Sequence, residues 1–384
     1  MIRVLQVVYT LDRGGIETLL MNIFRKIDRS EILFDFLVHA DHPEDHPHFE
    51  YEDEVRDLGG RIYRAPRYLH HPVEYRRYVA RLISEHPEYR VVHGHNLGPE
   101  SMDYMSRVKK SGAYLIAHGH NTFELPDKPL KRARNRTIRK VSCLYPDHFF
   151  GCSEEAARYC FGERIAASSQ CEVFHNGIDL SVFEVTEEQH RNLKDRLFPG
   201  VEGPVLCTVG RLAPQKNQSF AIAVLSKLLE REPGAVLVII GEGPLRKQLG
   251  DKARALGITD HVLFTGSIPN VPEYLKASDV FLFPSVFEGL GIAAIEAQAC
   301  GLPTLMSDKV PGLSRCSTLG VRIPLEDGAS TWAARALGAW QRNRGMRHDR
   351  TEDVRAAGFD INAVVKRLSD FYLIRHEAQC NVSR

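Results

Sequence analysis

The stretch from Phe281 to Pro303, Phe-Leu-Phe-Pro-Ser-Val-Phe-Glu-Gly-Leu-Gly-Ile-Ala-Ala-Ile-Glu-Ala-Gln-Ala-Cys-Gly-Leu-Pro, constrains this chain more than any other. A short apolar run, Val280 to Phe283, has strand character and is closed by Pro284 and Ser285. A turn with Gly289 and Gly291 follows, then an Ala-rich helix that Gly301 and Pro303 stop. A strand that feeds a helix through a Gly turn leaves backbone N–H groups unpaired at the helix start. Such groups attract anions, phosphate above all. Two carboxylates bracket the turn: Glu288 just before it and Glu296 in the second turn of the helix. An ionised carboxylate only accepts hydrogen bonds, so the pair suits vicinal hydroxyls such as those of ribose and of a sugar. Donors for a diphosphate beside acceptors for hydroxyls are what a nucleotide sugar requires. The plainer reading, in which Glu296 faces water and Glu288 caps the helix, fits a lone Glu pair better than one flanked by these Gly, Ala and Pro positions.

The rest of the chain repeats the same rhythm. Ile2 to Tyr9 reads as a buried strand, Thr10 to Gly15 as a Gly-rich loop, and Ile16 to Phe24 as a helix, giving a second anion-friendly terminus. It is not the dinucleotide fingerprint, because no third Gly or closing acidic residue is correctly spaced. Val91 to Asn96 and Tyr114 to Asn121 are two strands, each ending in His-Gly-His-Asn. Alternating βα units imply parallel sheets, whose ligands collect outside the carboxyl ends of the strands. The four imidazoles therefore lie where chemistry is expected. A metal, a structural role and polar contact with a sugar all remain open for them. No Asp or Glu completes either motif and Asn is a poor zinc ligand, so the expectation is metal: none.

Val205 to Gly210 opens a second set of βα units and leads into Gly-Arg-Leu-Ala-Pro-Gln-Lys-Asn, where Arg211 and Lys216 place two cations in one strand-to-helix loop. Arginine grips phosphate in a fork and lysine supplies a compact charge. Residues 181 to 203, charged and ending near Pro199-Gly200, read as the boundary between the halves. Lys128 to Tyr145 is the most basic stretch; Leu130, Ala133, Thr137, Val141 and Leu144 share one stripe of its helical wheel. That leaves a cationic face that is either solvated or a dock for anionic lipid.

Length allows about two domains for 384 residues. The net charge of +1 provides no field for nucleic acid. The eight cysteines form no Cys-x-x-Cys pair, no apolar run is long enough to span a membrane, and the N-terminus has no signal-peptide core. A cytoplasmic protein, working at the inner face of the membrane if the basic helix docks there, is the expectation.

The Glu-x7-Glu stretch closely resembles the signature of retaining family-4 glycosyltransferases of the GT-B fold. Gly-Arg-x-x-Pro-x-Lys-Asn, Asn176-Gly177-Ile178-Asp179 and the Gly-Gly-Ile-Glu-Thr loop extend the likeness to nearly the whole chain, nearest to exopolysaccharide and capsule enzymes. The resemblance implies α/β architecture: two Rossmann-like domains with parallel sheets facing across a cleft. Residues 1–180, with a returning C-terminal helix at about 358–384, would form the acceptor-side domain, and 181–357 the nucleotide-sugar domain. By the same resemblance, Arg211 and Lys216 bind the diphosphate and Glu296 holds the ribose. Glu288, Gly289, Leu290 and Gly291 complete the donor site, Gly14 and Gly15 approach the donor phosphates, and His118 touches the donor sugar, with His120 as its competitor.

The implied reaction moves a hexosyl or N-acetylhexosaminyl group from a nucleotide diphosphate, with UDP the expected carrier, to a glycan or polyprenyl-linked acceptor. The implied cofactors are none: no catalytic metal is expected, and no Asp-x-Asp motif is present. A 2-epimerase of the same fold, a His-rich metal-dependent hydrolase and a non-catalytic sugar-nucleotide binder are the rival readings.

Overall fold

The computed structural model describes residues 1–39, 48–120 and 129–382, with the backbone alone for 129–132 and 382. The chain divides into two units, 1–178 with 359–384, and 179–358.

In the first unit the strands are β1 (Ile2–Val8), β2 (Ile32–His39), β3 (Ile62–Ala65), β4 (Val91–Gly94), β5 (Tyr114–Gly119), β6 (His148–Gly151) and β7 (Cys171–Val173). They form one parallel sheet in the order β3-β2-β1-β4-β5-β6-β7. Helices cover both faces, so the central strands are apolar without alternation, and β2 is buried along its whole length. Its one carboxylate, Asp35, is satisfied by Arg3 at 2.6 Å, the Arg61 amide at 2.7 Å and the Tyr89 hydroxyl at 2.6 Å. The chain returns to this unit through helix Ile361–Val382, whose Leu368 and Tyr372 are buried in the same cluster as Phe34 and Phe150.

In the second unit the strands are β8 (Val205–Val209), β9 (Val236–Ile240), β10 (Val262–Gly266), β11 (Val280–Phe283), β12 (Thr304–Ser307) and β13 (Gly320–Ile323). Their order is β10-β9-β8-β11-β12-β13, again all parallel. Trp332, on helix Gly328–Asn343, is fully buried against the edge of Phe220, and its indole N–H reaches the Pro324 carbonyl at 3.1 Å. In each sheet the strand order reverses at one place, between β1 and β4 and between β8 and β11. Ligands of such sheets collect outside the carboxyl ends at that point.

Residues 181–203, expected as the boundary between the halves, hold a helix: Glu187–Leu197 begins with a Thr186/Gln189 capping box, and Lys194 pairs with Asp279 at 2.7 Å. Caps and ions hold this helix in place of an apolar stripe, which is why its composition resembles a linker. On the basic helix Pro129–Ser142, Ala133 and Thr137 are exposed and Val141 is half-buried, and Leu144 beyond its end is exposed; among the described side chains of this helix the buried one is Ser142, bonded to Ser101 at 2.6 Å. Arg139 lies over the Tyr159 ring at 4.4 Å. Lys128 and Asn121, with the side chains of Leu130, Lys131 and Arg132, fall outside the described residues. No helix among the described residues is long and apolar enough to cross a membrane.

Candidate functional site

At the reversal point of the second sheet, the loops after β8 and β11 are stitched together. The Val286 amide donates to the Gln215 carbonyl at 2.9 Å, the Gln215 amide group to the Phe287 carbonyl at 3.1 Å, and the Asn217 amide group to the Pro284 carbonyl at 3.2 Å. Asn217 adopts φ +51°, the only left-handed non-glycine among the described residues, and Asn tolerates that region best. The turn it makes sends Lys216 across the gap: its Nζ meets the Glu288 Oε1 at 2.7 Å and lies 4.9 Å from the Phe283 ring centroid. Glu288 is 5% exposed, so its charge is held by that lysine, with Gln215 adding a longer contact at 3.4 Å. Arg211, in the same loop, is exposed.

Glycine is required at Gly291, which begins helix Ile292–Ala299 at φ +84°. A Cβ there would also meet the Phe283 ring at 2.9 Å and the Ser314 hydroxyl at 3.4 Å. The Leu290 carbonyl accepts from Ser314, which ties the turn from beneath. The first amides of the helix thus open beside Lys216 and Glu288, an arrangement able to hold an anion. Glu296, one turn further, is half-buried, and burial pushes its carboxyl up to about 7, partly offset by the charge of Lys216. The second unit therefore brings together Lys216, Glu288, Gly289, Leu290, Gly291 and Glu296, with Arg211 at the rim.

The remaining predicted residues belong to the first unit. Gly14 caps helix Gly15–Lys26 after β1, and a side chain on it would sit on the Glu17 carboxylate. A Cβ on Gly15 would meet nothing within 4 Å. Glu17 was not singled out by its sequence. Burial raises its carboxyl to about 7, with Asp12 adding and its own backbone amide opposing. Its position in the first turn after a double glycine was the available signal. His118 is 1% exposed, and neither of its ring nitrogens has a partner. His120 is partly exposed, yet its Nδ1 is buried without a partner and its Nε2 is bonded to His95 at 2.9 Å. His118 is thus closed off by its neighbours, whereas His120 keeps part of its surface open.

Residues 13–182 match the model of the Glycosyltransferase Family 4, and residues 190–355 match that of the Glycosyl transferases group 1. The chain is 29% identical to the Bacillus subtilis protein EpsF over 390 residues, covering 99% of this chain and 98% of that one. It is 30% identical over 270 residues to a GDP-mannose-dependent alpha-(1-6)-phosphatidylinositol monomannoside mannosyltransferase of Mycolicibacterium smegmatis, covering 67% of this chain and 68% of the relative. Among solved structures, HepE of Anabaena in complex with UDP-glucose superposes with a TM-score of 0.77 at 16% identity, covering 97% of this chain and 99% of that one. With two such sheets and these matches along nearly its whole length, the chain belongs to the family-4 glycosyltransferases of the GT-B fold and is a glycosyltransferase.

Proposed function

We propose that the protein transfers a hexosyl or N-acetylhexosaminyl group from a nucleotide-diphosphate sugar to a glycan or lipid-linked acceptor, with retention at the anomeric carbon, in exopolysaccharide or capsule synthesis. The observation that carries this reading is the Lys216–Glu288 pair beside the amides opening at Gly291. In the resting protein the lysine neutralises a buried carboxylate; a diphosphate docking on the helix start would share that cation. Arg211 would close on the same phosphates from the rim. Glu288, released from part of its bond to Lys216, would accept from the sugar hydroxyls, and Glu296 from the ribose.

The chemical burden is a leaving nucleoside diphosphate and an oxocarbenium-like sugar. Fixed cations and amides address the first without reorganising during the reaction, so the proposed transfer uses no catalytic metal. Gly15, with open space at its Cα, suits close approach of a ligand's phosphates to the backbone. UDP is the proposed carrier: HepE binds UDP-glucose, whereas the mycobacterial relative uses GDP-mannose, so the base is the first quantity to test. The latter's acceptor is itself a lipid-linked sugar, which supports a lipid-linked acceptor here. Docking of the basic helix on anionic membrane belongs to the same proposal and rests on its exposed Arg134, Arg136 and Lys140.

A thermal-shift screen of UDP, GDP and their sugars, followed by NMR of the product's anomeric proton, tests the reading. The expected result is selective stabilisation by one nucleotide and an α-product from an α-donor. An inverted product would remove retention, and interconversion of donor without acceptor would point to an epimerase.

A further inference from the structure

The loop after β4 ends in a carboxylate with no donor to hold it. Glu100 is the last residue before helix Ser101–Ser111, and its carbonyl starts that helix by accepting from the Asp103 amide at 3.1 Å and the Tyr104 amide at 3.2 Å. Its side chain makes no cap bond; it is 3% exposed, and Oε1 is buried without a hydrogen-bond partner. A carboxylate buried unpaired is costly to a fold, so its donor is to be sought outside the chain. We infer that Glu100, with the exposed ring of Tyr9, binds the sugar of the acceptor. The inference rests on the transferase reading above.

The protein groups around this carboxylate are already engaged. His39 is bonded on both sides, through Nδ1 to the Val8 carbonyl at 2.8 Å and through Nε2 to the Tyr75 hydroxyl at 2.9 Å. The Tyr104 hydroxyl donates to the Asn96 carbonyl at 3.0 Å, and the Ser101 hydroxyl to the Gly98 carbonyl at 2.6 Å. Burial first, and the charge of Glu100 second, push the Tyr75 and Tyr104 hydroxyls well above the usual phenol range, so both keep their protons for these bonds.

Its place in the sheet is one where a ligand is expected. β1 and β4 are neighbours where the order of the first sheet reverses, and Tyr9 and residues 95–100 follow directly from their carboxyl ends. A Cβ on Gly98 would lie 2.0 Å from the Tyr9 hydroxyl and 2.7 Å from each Glu100 oxygen, so hydroxyl and carboxylate converge where the side chain is missing. Tyr9 is 47% exposed. The rings of His39, Tyr75 and Tyr68 continue from it at successive centroid separations of 5.6, 5.4 and 5.4 Å. Aromatic walls with a few fixed polar groups are the usual lining of a small-ligand site. A sugar matches this one: its C–H face lies on a tyrosine ring and its hydroxyls donate to a carboxylate that only accepts. The negative charge of Glu100 disfavours a diphosphate here, whereas Lys216 and Arg211 in the second unit favour one.

The test uses the full-length protein with UDP and GDP both present, and the methyl α-glycosides of glucose, galactose and N-acetylglucosamine as probes, read by saturation-transfer NMR. At least one glycoside should receive saturation at its ring protons, and its binding should weaken about tenfold or more in Glu100→Gln and in Tyr9→Ala. Because no protein group pairs with the carboxylate, Glu100→Gln should leave Tm unchanged or raise it; a structural role would lower it. Calorimetry of the wild type with each nucleotide keeps the two readings apart: absence of nucleotide binding strikes the transferase reading, and the sugar signals alone decide this one. No signal from any glycoside on the wild type, wild-type binding in either variant, or a lowered Tm in Glu100→Gln would each overturn the proposal.

Discussion

Glu296 is a carboxyl that burial holds at odds with stability. Burial holds its folded carboxyl at about 7, whereas in the unfolded chain it would lose its proton near the ordinary value of 4.5. Stability from this group is therefore fully present below the lower value and falls as pH rises through the upper one. Glu296→Gln should raise stability at pH 8 by about 1–3 kcal/mol, with the gain vanishing toward pH 4.5, as read by denaturant melts. The same variant should bind nucleotide about tenfold more weakly at pH 8, because an acceptor for ribose has been replaced by a neutral amide. Calorimetry should show wild-type affinity climbing between pH 6 and 8 more steeply than that of the variant. Equal slopes would remove Glu296 from the site.

Lys216→Ala should lower transfer by roughly a hundredfold and destabilise the chain by about 1–3 kcal/mol, because Glu288 is left buried without its cation. The double variant Lys216→Ala/Glu288→Ala should recover much of that stability and none of the activity. Gly15→Ala is the converse test. The added methyl meets nothing, so an unchanged Tm with a drop in turnover of about tenfold or more would report a ligand at that backbone, and unchanged turnover would deny it.

Among the elements, the start of helix Ile292–Ala299 is the one most tightly specified. Gly291→Ala combines a left-handed φ with a collision on Phe283 and should cost about 1–3 kcal/mol, visible in a urea melt. This loop was legible in the sequence because strand, turn and helix are contiguous and their chemistry lies in neighbouring residues. Helix Glu187–Leu197 was not, because the capping box, the Lys194–Asp279 pair and the bond from His190 to the Lys276 carbonyl at 2.7 Å stand where an apolar stripe would have shown. Thr186→Ala should cost about 1 kcal/mol, the usual worth of a cap. On the basic helix the expected stripe is met at half-buried Val141 and not at exposed Ala133 and Thr137, while Ser142, off the stripe, is buried and bonded to Ser101. The two His-Gly-His-Asn endings marked the imidazoles in advance. Gln6 and Tyr372, which bond to His95 and His93, come from the two ends of the chain and could be joined only by the fold.

For the whole molecule, each unit has its own parallel sheet, its own core and its own reversal of strand order. The same sequence logic, apolar strand then Gly loop then helix, built both, which is why the fold class could be read before any coordinates. Residue roles required more, since a parallel sheet serves many chemistries and only the side chains at its carboxyl edge distinguish them. The central claim is that the edge formed by the loops after β8 and β11 receives the nucleotide diphosphate. Amide hydrogen exchange of the full chain, with and without saturating UDP or GDP, tests it most directly. The account predicts protection concentrated in residues 210–217 and 284–296, lost in Lys216→Ala at the same ligand concentration. Nucleotide binding that leaves both segments exchanging as in the free protein would contradict it.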